Sequence, residues 1–116
     1  MPDRRDTPRP PLRPPVFQIL LALAAGDLHG LGIADEVERA TGGAIELGPG
    51  TLYRSLKEMA EEGLVREVTP PEEDADPRRK YYRITRQGRS LVAAEAERFE
   101  RIVRVARERK LLPRRA

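Results

Sequence analysis

Residues 49–63 read PGTLYRSLKEMAEEG, followed by LVREV at 64–68 and KYYRIT at 80–85. Pro49 and Gly50 open a helix through about Glu62, because proline is tolerated in a first turn, where its missing N–H has no partner to lose. Leu52, Leu56 and Met59 recur at helical spacing as a buried stripe with Ala60 beside them, and Gly63 is a C-terminal stop. The two runs after it favour β structure. Thr69 to Arg79, between them, holds three prolines and four acids and is expected to be a mobile loop. A helix leading into a two-stranded ribbon with a loose tip is the pattern that decides the fold.

Upstream, Pro15 stands at a first helical position and Phe17, Leu20, Leu21, Ala24 and Ala25 recur at helical spacing until Gly26. Gly30-Leu31-Gly32 opens a second helix with Ile33, Val37 and Ala40 facing inward, and Thr41-Gly42-Gly43 breaks it. Ile45 and Leu47 suggest a short extended piece. Downstream, Thr85 caps a fourth helix that continues to about Leu112, where Pro113 ends it, and Gly88 is tolerable in its first turn. The expected class is mainly α with a small β-ribbon: a winged helix-turn-helix followed by a long C-terminal helix. The divisions are a disordered Pro/Arg-rich arm at 1–15, the winged domain at 16–88, a dimerisation helix at 89–112 and a basic tail at 113–116. In winged modules the third helix enters the DNA major groove and the ribbon lies against the backbone or minor groove.

Composition narrows the function. The 116 residues contain no cysteine and one histidine, which excludes disulfides, thiolate sites and His-based metal clusters. Five Phe plus Tyr and no Trp leave little wall for a large cofactor, so no cofactor is expected and an enzyme is the weakest class. The formal charge of +3 is segregated: net +2 over residues 1–15, −5 over 16–97 and +6 over 98–116. Basic ends on an acidic body suit a polyanion only if the body places its cations locally. The run Val16 to Ala25 behind four arginines has the outline of a signal peptide. Asp3, Asp6 and six prolines in its basic stretch argue instead for a core helix of a cytoplasmic protein with no membrane partner. Glu72 to Asp76 lacks the alternating ligands and central glycine of a calcium loop. Gly30-Leu31-Gly32 is expected to follow a helix rather than a strand and lies in no βαβ unit, so it is no dinucleotide fingerprint. His29 is assigned as a local cap or surface group.

The chemistry that remains is nucleic-acid contact. With Leu52, Leu56 and Met59 inward, Thr51, Arg54, Ser55 and Lys57 project from the other side, near a helix start at Pro49 and Gly50 whose N–H groups suit a phosphate. Arg54 has the fork geometry for a guanine edge; alternatively it pairs with Glu58 one turn on, with Tyr53 half-buried as packing. Arg78-Arg79-Lys80 at the ribbon base, with Arg83 on an alternate face, favours phosphates, or is neutralised by Glu72, Glu73, Asp74 and Asp76.

On the fourth helix Val92, Ala96, Phe99, Val103 and Ala106 repeat as a heptad seam, with Leu91, Ala94 and Ile102 alongside. A helix over 86–112 is ~40 Å long. A small winged core cannot cover that length, so Val92, Ala96, Phe99, Ile102, Val103 and Ala106 are expected to form a dimer interface, with the stretch from Phe99 onward meeting a second copy. The other reading is that the seam folds back on the first helix.

Several stretches together resemble the PadR family of bacterial transcriptional regulators: Phe17-Gln18-Ile19-Leu20-Leu21-Ala22-Leu23, Leu28-His29-Gly30, Gly48-Pro49-Gly50-Thr51-Leu52-Tyr53-Arg54-Ser55-Leu56, Glu62-Gly63-Leu64-Val65 and Arg79-Lys80-Tyr81-Tyr82-Arg83-Ile84-Thr85-Arg86-Gln87-Gly88. They cover roughly residues 16–100. The resemblance implies a short-form homodimeric winged-helix repressor bound to double-stranded DNA at a palindromic operator and dimerised by its C-terminal helix. It adds Tyr53 as a DNA-backbone contact and a small phenolic or hydrophobic effector, for which Phe17 and Phe99 are the expected pocket. Leu31 replaces the aromatic common after His-Gly, the ribbon loop is unusually acidic, and the C-terminal helix has no Trp. A winged-helix protein-interaction module whose basic tail docks an acidic partner is the rival class.

Overall fold

A computed structural model of the protein describes residues 9–113. Most of the expected arm and tail, 1–8 and 114–116, lies outside the described residues. Helix α1 spans Pro14–Leu23, one residue earlier than Pro15 implies, with the prolines occupying its first turn. Strand β1 is Leu28–His29, α2 is Gly30–Ala40 and α3 is Pro49–Glu61. Strands β2, Val65–Val68, and β3, Tyr81–Ile84, form the ribbon, and α4 runs Arg86–Glu108. Among the described residues no helix is long and apolar enough to cross a membrane.

The sheet has three strands rather than two, in the order β1-β3-β2, all antiparallel. Leu28 faces Tyr82 and His29 faces Tyr81, so β3 is the central strand and the ribbon is stitched to the start of α2. Residues Ile45 and Leu47 form no strand; they sit in irregular chain with their side chains against the core.

The core is built from Ile19, Leu20 and Leu23 of α1, Ile33 and Val37 of α2, Leu52, Leu56 and Met59 of α3, and Leu64, Val65, Tyr82 and Ile84 of the ribbon. The buried arc of α1 is turned from the expected one: Val16, Ile19 and Leu23 are inside while Leu21 is exposed. Ala40 and Ala60, expected inward, are also exposed. Each lies at the edge of its helix's apolar arc, where a methyl group gains little by burial.

Both stops of α3 and α4 follow from backbone geometry. Gly63 takes φ +78°, which lets Leu64 N–H reach Met59 O at 2.9 Å. At the end of α4 Lys110 takes the same left-handed turn, φ 61°, and Leu111 N–H reaches Ala106 O at 2.9 Å. The helix therefore ends at Glu108, short of the expected Leu112. Thr85 caps α4 as expected, its Oγ1 accepting Gly88 N–H at 3.0 Å and donating to Gly63 O at 2.6 Å. Gly88 is more than tolerable: a Cβ there would overlap the Leu64 carbonyl oxygen, so the glycine sets how closely α4 approaches the ribbon.

Candidate nucleic-acid interface

Helix α3 presents Pro49, Gly50, Tyr53, Arg54 and Lys57 to solvent, with Thr51 half-buried. Ser55 does not belong with them. It is 6% exposed, because positions 52, 55, 56 and 59 share one face of a 3.6-residue helix. Arg54 has no ion-pair partner among the described residues, and Glu58, the alternative partner one turn on, instead takes Arg13 at 2.9 Å. Tyr53 is 52% exposed, with its hydroxyl lying over Gly30, where a Cβ would overlap it.

The ribbon supplies the cations. An open groove of about 800 Å³ is lined by Arg66, Arg78, Arg79, Lys80 and Arg83 with a single acid, Glu67, and the ribbon-tip prolines. Arg66 was not among the expected residues. Its signal is plain once the register is known: Val65 points in, so Arg66 points out, directly opposite Arg83. Arg83 is not free: its Nε and Nη2 donate to Asp27 at 2.7–3.2 Å. That hydrogen bond holds the Asp27 carboxyl below its usual range, with Arg66 adding a smaller pull in the same direction.

The acids of the ribbon loop do two different things. Asp76 pairs with Arg78 at 3.3 Å in the open. Asp74 is turned inward, its side chain 3% exposed, and accepts Tyr81 O–H at 2.6 Å and Asp76 N–H at 2.8 Å. The tyrosine hydroxyl is the main reason its carboxyl titrates below the usual range. Arg79 Nη1 lies 3.7 Å from it. Lys80 and Arg66 have no ion-pair partner among the described residues, so the acidic loop meets two cations of the basic run and leaves the third open. A second cleft, of about 300 Å³, joins the loop end of the ribbon to the reading helix: its walls are His29, Gly30, Leu31, Tyr53, Arg78, Arg79 and Lys80.

On α4 the expected seam divides. Val92 is 6% exposed and belongs to the monomer core with Leu91, so it is not available to a partner. The same face continues past the core as Phe99, Ile102, Val103 and Ala106, with Phe99 and Ile102 40% and 48% exposed. Ala96 is exposed beside it. Between the two halves sits Glu95, buried, accepting Leu12 N–H and Arg98 Nε–H. The Arg98 bond outweighs burial and keeps its carboxyl below the usual range. The rings of Phe17 and Phe99, the residues of the expected effector pocket, pack on each other within one chain at a centroid distance of 5.0 Å.

Three helices, a β3-centred ribbon with a basic flank and a long trailing helix define a winged helix-turn-helix protein. The chain matches the transcriptional regulator PadR-like family over residues 19–94 and belongs to it. It is similar to a PadR family transcription regulator from Clostridium difficile, at 26% identity with 81% of this chain and 95% of that one covered and a TM-score of 0.68. It shares the fold of Bacillus subtilis PadR solved in complex with operator DNA, at 24% identity, 72% and 46% coverage and a TM-score of 0.61. In sequence it is 38% identical over 84 residues to an uncharacterised 37.1 kDa protein of a Streptomyces fradiae transposon. That match takes in 72% of this chain but only 22% of the length of that relative.

Proposed function

We propose that the protein is a DNA-binding transcriptional regulator acting in the cytoplasm as a homodimeric repressor at a palindromic operator. The observation that carries this reading is the cleft in which Tyr53 of the reading helix meets Arg78, Arg79 and Lys80 of the ribbon. A helix with uncompensated Arg54 and Lys57 beside such a cleft suits a duplex, the helix reading base edges and the ribbon holding phosphates. Family membership supports regulation as the purpose of that contact. The residues assigned to DNA are Pro49, Gly50, Thr51, Tyr53, Arg54, Lys57, Arg66, Arg78, Arg79, Lys80 and, once released from Asp27, Arg83.

Two copies would pair through Phe99, Ile102, Val103 and Ala106, the part of the α4 face that the core leaves bare. Repression would then be steric, two reading helices occupying adjacent half-sites. A hydrophobic or phenolic effector would enter where the Phe17–Phe99 pair meets the second copy.

Selection of bound fragments from random-sequence DNA by the purified protein tests the reading. The expected result is a palindromic consensus, with Arg54→Ala relaxing preference at one base position per half-site. Enrichment of no sequence, with binding that responds only to duplex length and salt, would overturn sequence-specific regulation.

A further inference from the structure

His29 caps α2 with one ring nitrogen: its Nδ1 accepts the Gly32 N–H at 3.1 Å. A neutral imidazole carries one proton, so with Nδ1 accepting the proton sits on Nε2. That Nε2–H faces Arg79 Nη1 at 3.5 Å. Two donors therefore confront each other with no acceptor between them.

Neither is placed loosely. The Tyr81 ring meets the imidazole edge-on at 5.3 Å and 79°, fixing its plane. Tyr81 also donates to Asp74, which lies inward of Arg79 and accepts Asp76 N–H on its other oxygen. The buried carboxylate thus steadies Arg79 from one side while the guanidinium meets His29 on the other. Both donors open on the cleft walled by Tyr53, Arg78 and Lys80, in which no lining residue is an acid.

We infer that His29 and Arg79 together seat one phosphodiester of the DNA backbone, His29 as a neutral donor and Arg79 as a charged one. This rests on the DNA-binding reading above. A phosphate oxygen is the acceptor that His29 Nε2–H lacks among the described residues, and its charge suits a cleft that carries Arg78, Arg79 and Lys80 and no acid. Asp74 is then a positioning residue for Arg79. The contact spans the start of α2 and the loop end of the ribbon, so one phosphate would fix both elements at once.

His29→Asn is the discriminating variant. Asparagine caps a helix through its side-chain oxygen but places no donor where Nε2 lies. Binding is measured on a mixed-sequence duplex and on the selected operator, across salt, beside Arg79→Gln. The Asn variant should keep the wild-type melting temperature and bind both duplexes roughly tenfold more weakly per subunit, as loss of a hydrogen bond to a charged group does. Its salt dependence should match the wild type, because a neutral ring displaces no counterion, whereas Arg79→Gln should lower the slope by about one per subunit. The double variant should lose less than the product of the two single losses.

His29 is the only histidine, so nitrogen NMR of the wild type reports it without ambiguity. The free protein should show the Nε2–H tautomer, and that proton should shift and exchange more slowly on adding duplex. A proton on Nδ1, or an Nε2–H unmoved by duplex, overturns the inference even if the Asn variant folds poorly. An Asn variant that folds and binds like wild type overturns it while the DNA-binding reading stands. Failure of the wild type to bind either duplex overturns both.

Discussion

Arg66 and Arg83 stand directly opposite each other on β2 and β3, an arrangement in which like charges repel. Asp27 makes the pair tolerable by taking Arg83 in a two-pronged grip. Asp27→Asn keeps an acceptor for one of those prongs but removes the negative charge paired with Arg83. The pair is a third to a half exposed, at 34% and 48% of its side-chain surface, so solvent screens it and the folded state should lose little. DNA binding should change more. A released Arg83 neutralising one further phosphate per subunit steepens the slope of log affinity against log salt by about 0.9 per subunit. The expected signature is a protein that melts near the wild-type temperature and binds a duplex several-fold more tightly at low salt. The gain should fade as salt rises. Fluorescence anisotropy of a labelled duplex over a salt series measures both quantities. An unchanged slope with weaker binding would refute the reasoning, and would mean that Asp27 aims Arg83 at the DNA rather than restraining it.

Gly88→Ala drives a methyl group into the Leu64 carbonyl and within 3.1 Å of Ile84 Cγ1, contacts that backbone cannot easily relieve. A cost of ~3 kcal/mol is expected, read as a fall of roughly 15 °C in thermal denaturation. Ile102→Glu should yield a monomer at micromolar concentration by sedimentation with the melting of the winged core unchanged, since Ile102 lies beyond that core; a dimer that persists would remove α4 as the pairing surface. Phe99→Asp should also give a monomer but lose stability too, because Phe99 packs on Phe17. The depressed titration of Glu95 fixes the sign of one pH effect: its latch on Leu12 and Arg98 is fully present above the usual glutamate range and is lost as pH falls through its lowered value. Glu95→Gln should therefore flatten the acid limb of the stability–pH curve, and an identical limb in the two proteins would show that Glu95 contributes nothing to it.

What the sequence made legible was local. The stripe of Leu52, Leu56 and Met59, the stop at Gly63 and the cap at Thr85 each depend on residues within one turn, and each is found where expected. Non-local features escaped. Strand β1 is two residues long and exists only because Leu28 and His29 meet Tyr82 and Tyr81, more than fifty positions away. Glu95 reads as a solvated charge until Leu12, from the far end of the chain, supplies a buried N–H. Val92 and Phe99 share one helical face, and periodicity alone does not say where along it the core gives out. The burial of Ser55 is itself legible, because its spacing from Leu52 and Met59 puts it on their face of the helix. Arg66 needed the ribbon register before its place opposite Arg83 was visible.

In a pair joined through α4, the overhang of that helix would act as a lever. Beyond the contact of Phe99 with Phe17, from Glu100 to Glu108, the helix projects about 13 Å at ~1.5 Å per residue. Tilting it by about 15° where it leaves the core would swing its tip by roughly 3 Å, close to the ~3.4 Å rise of one base pair. In a pair clasped through those tips, the angle at Glu95 would set the separation of the two reading heads in units of base pairs. Glu95 occupies the fulcrum, gripping Leu12, while the next residue along, Arg13, holds Glu58 on the reading helix. Two adjacent residues thus brace the lever against the part it must aim, and the stiffness of that brace limits how much variation in half-site spacing one such pair could follow.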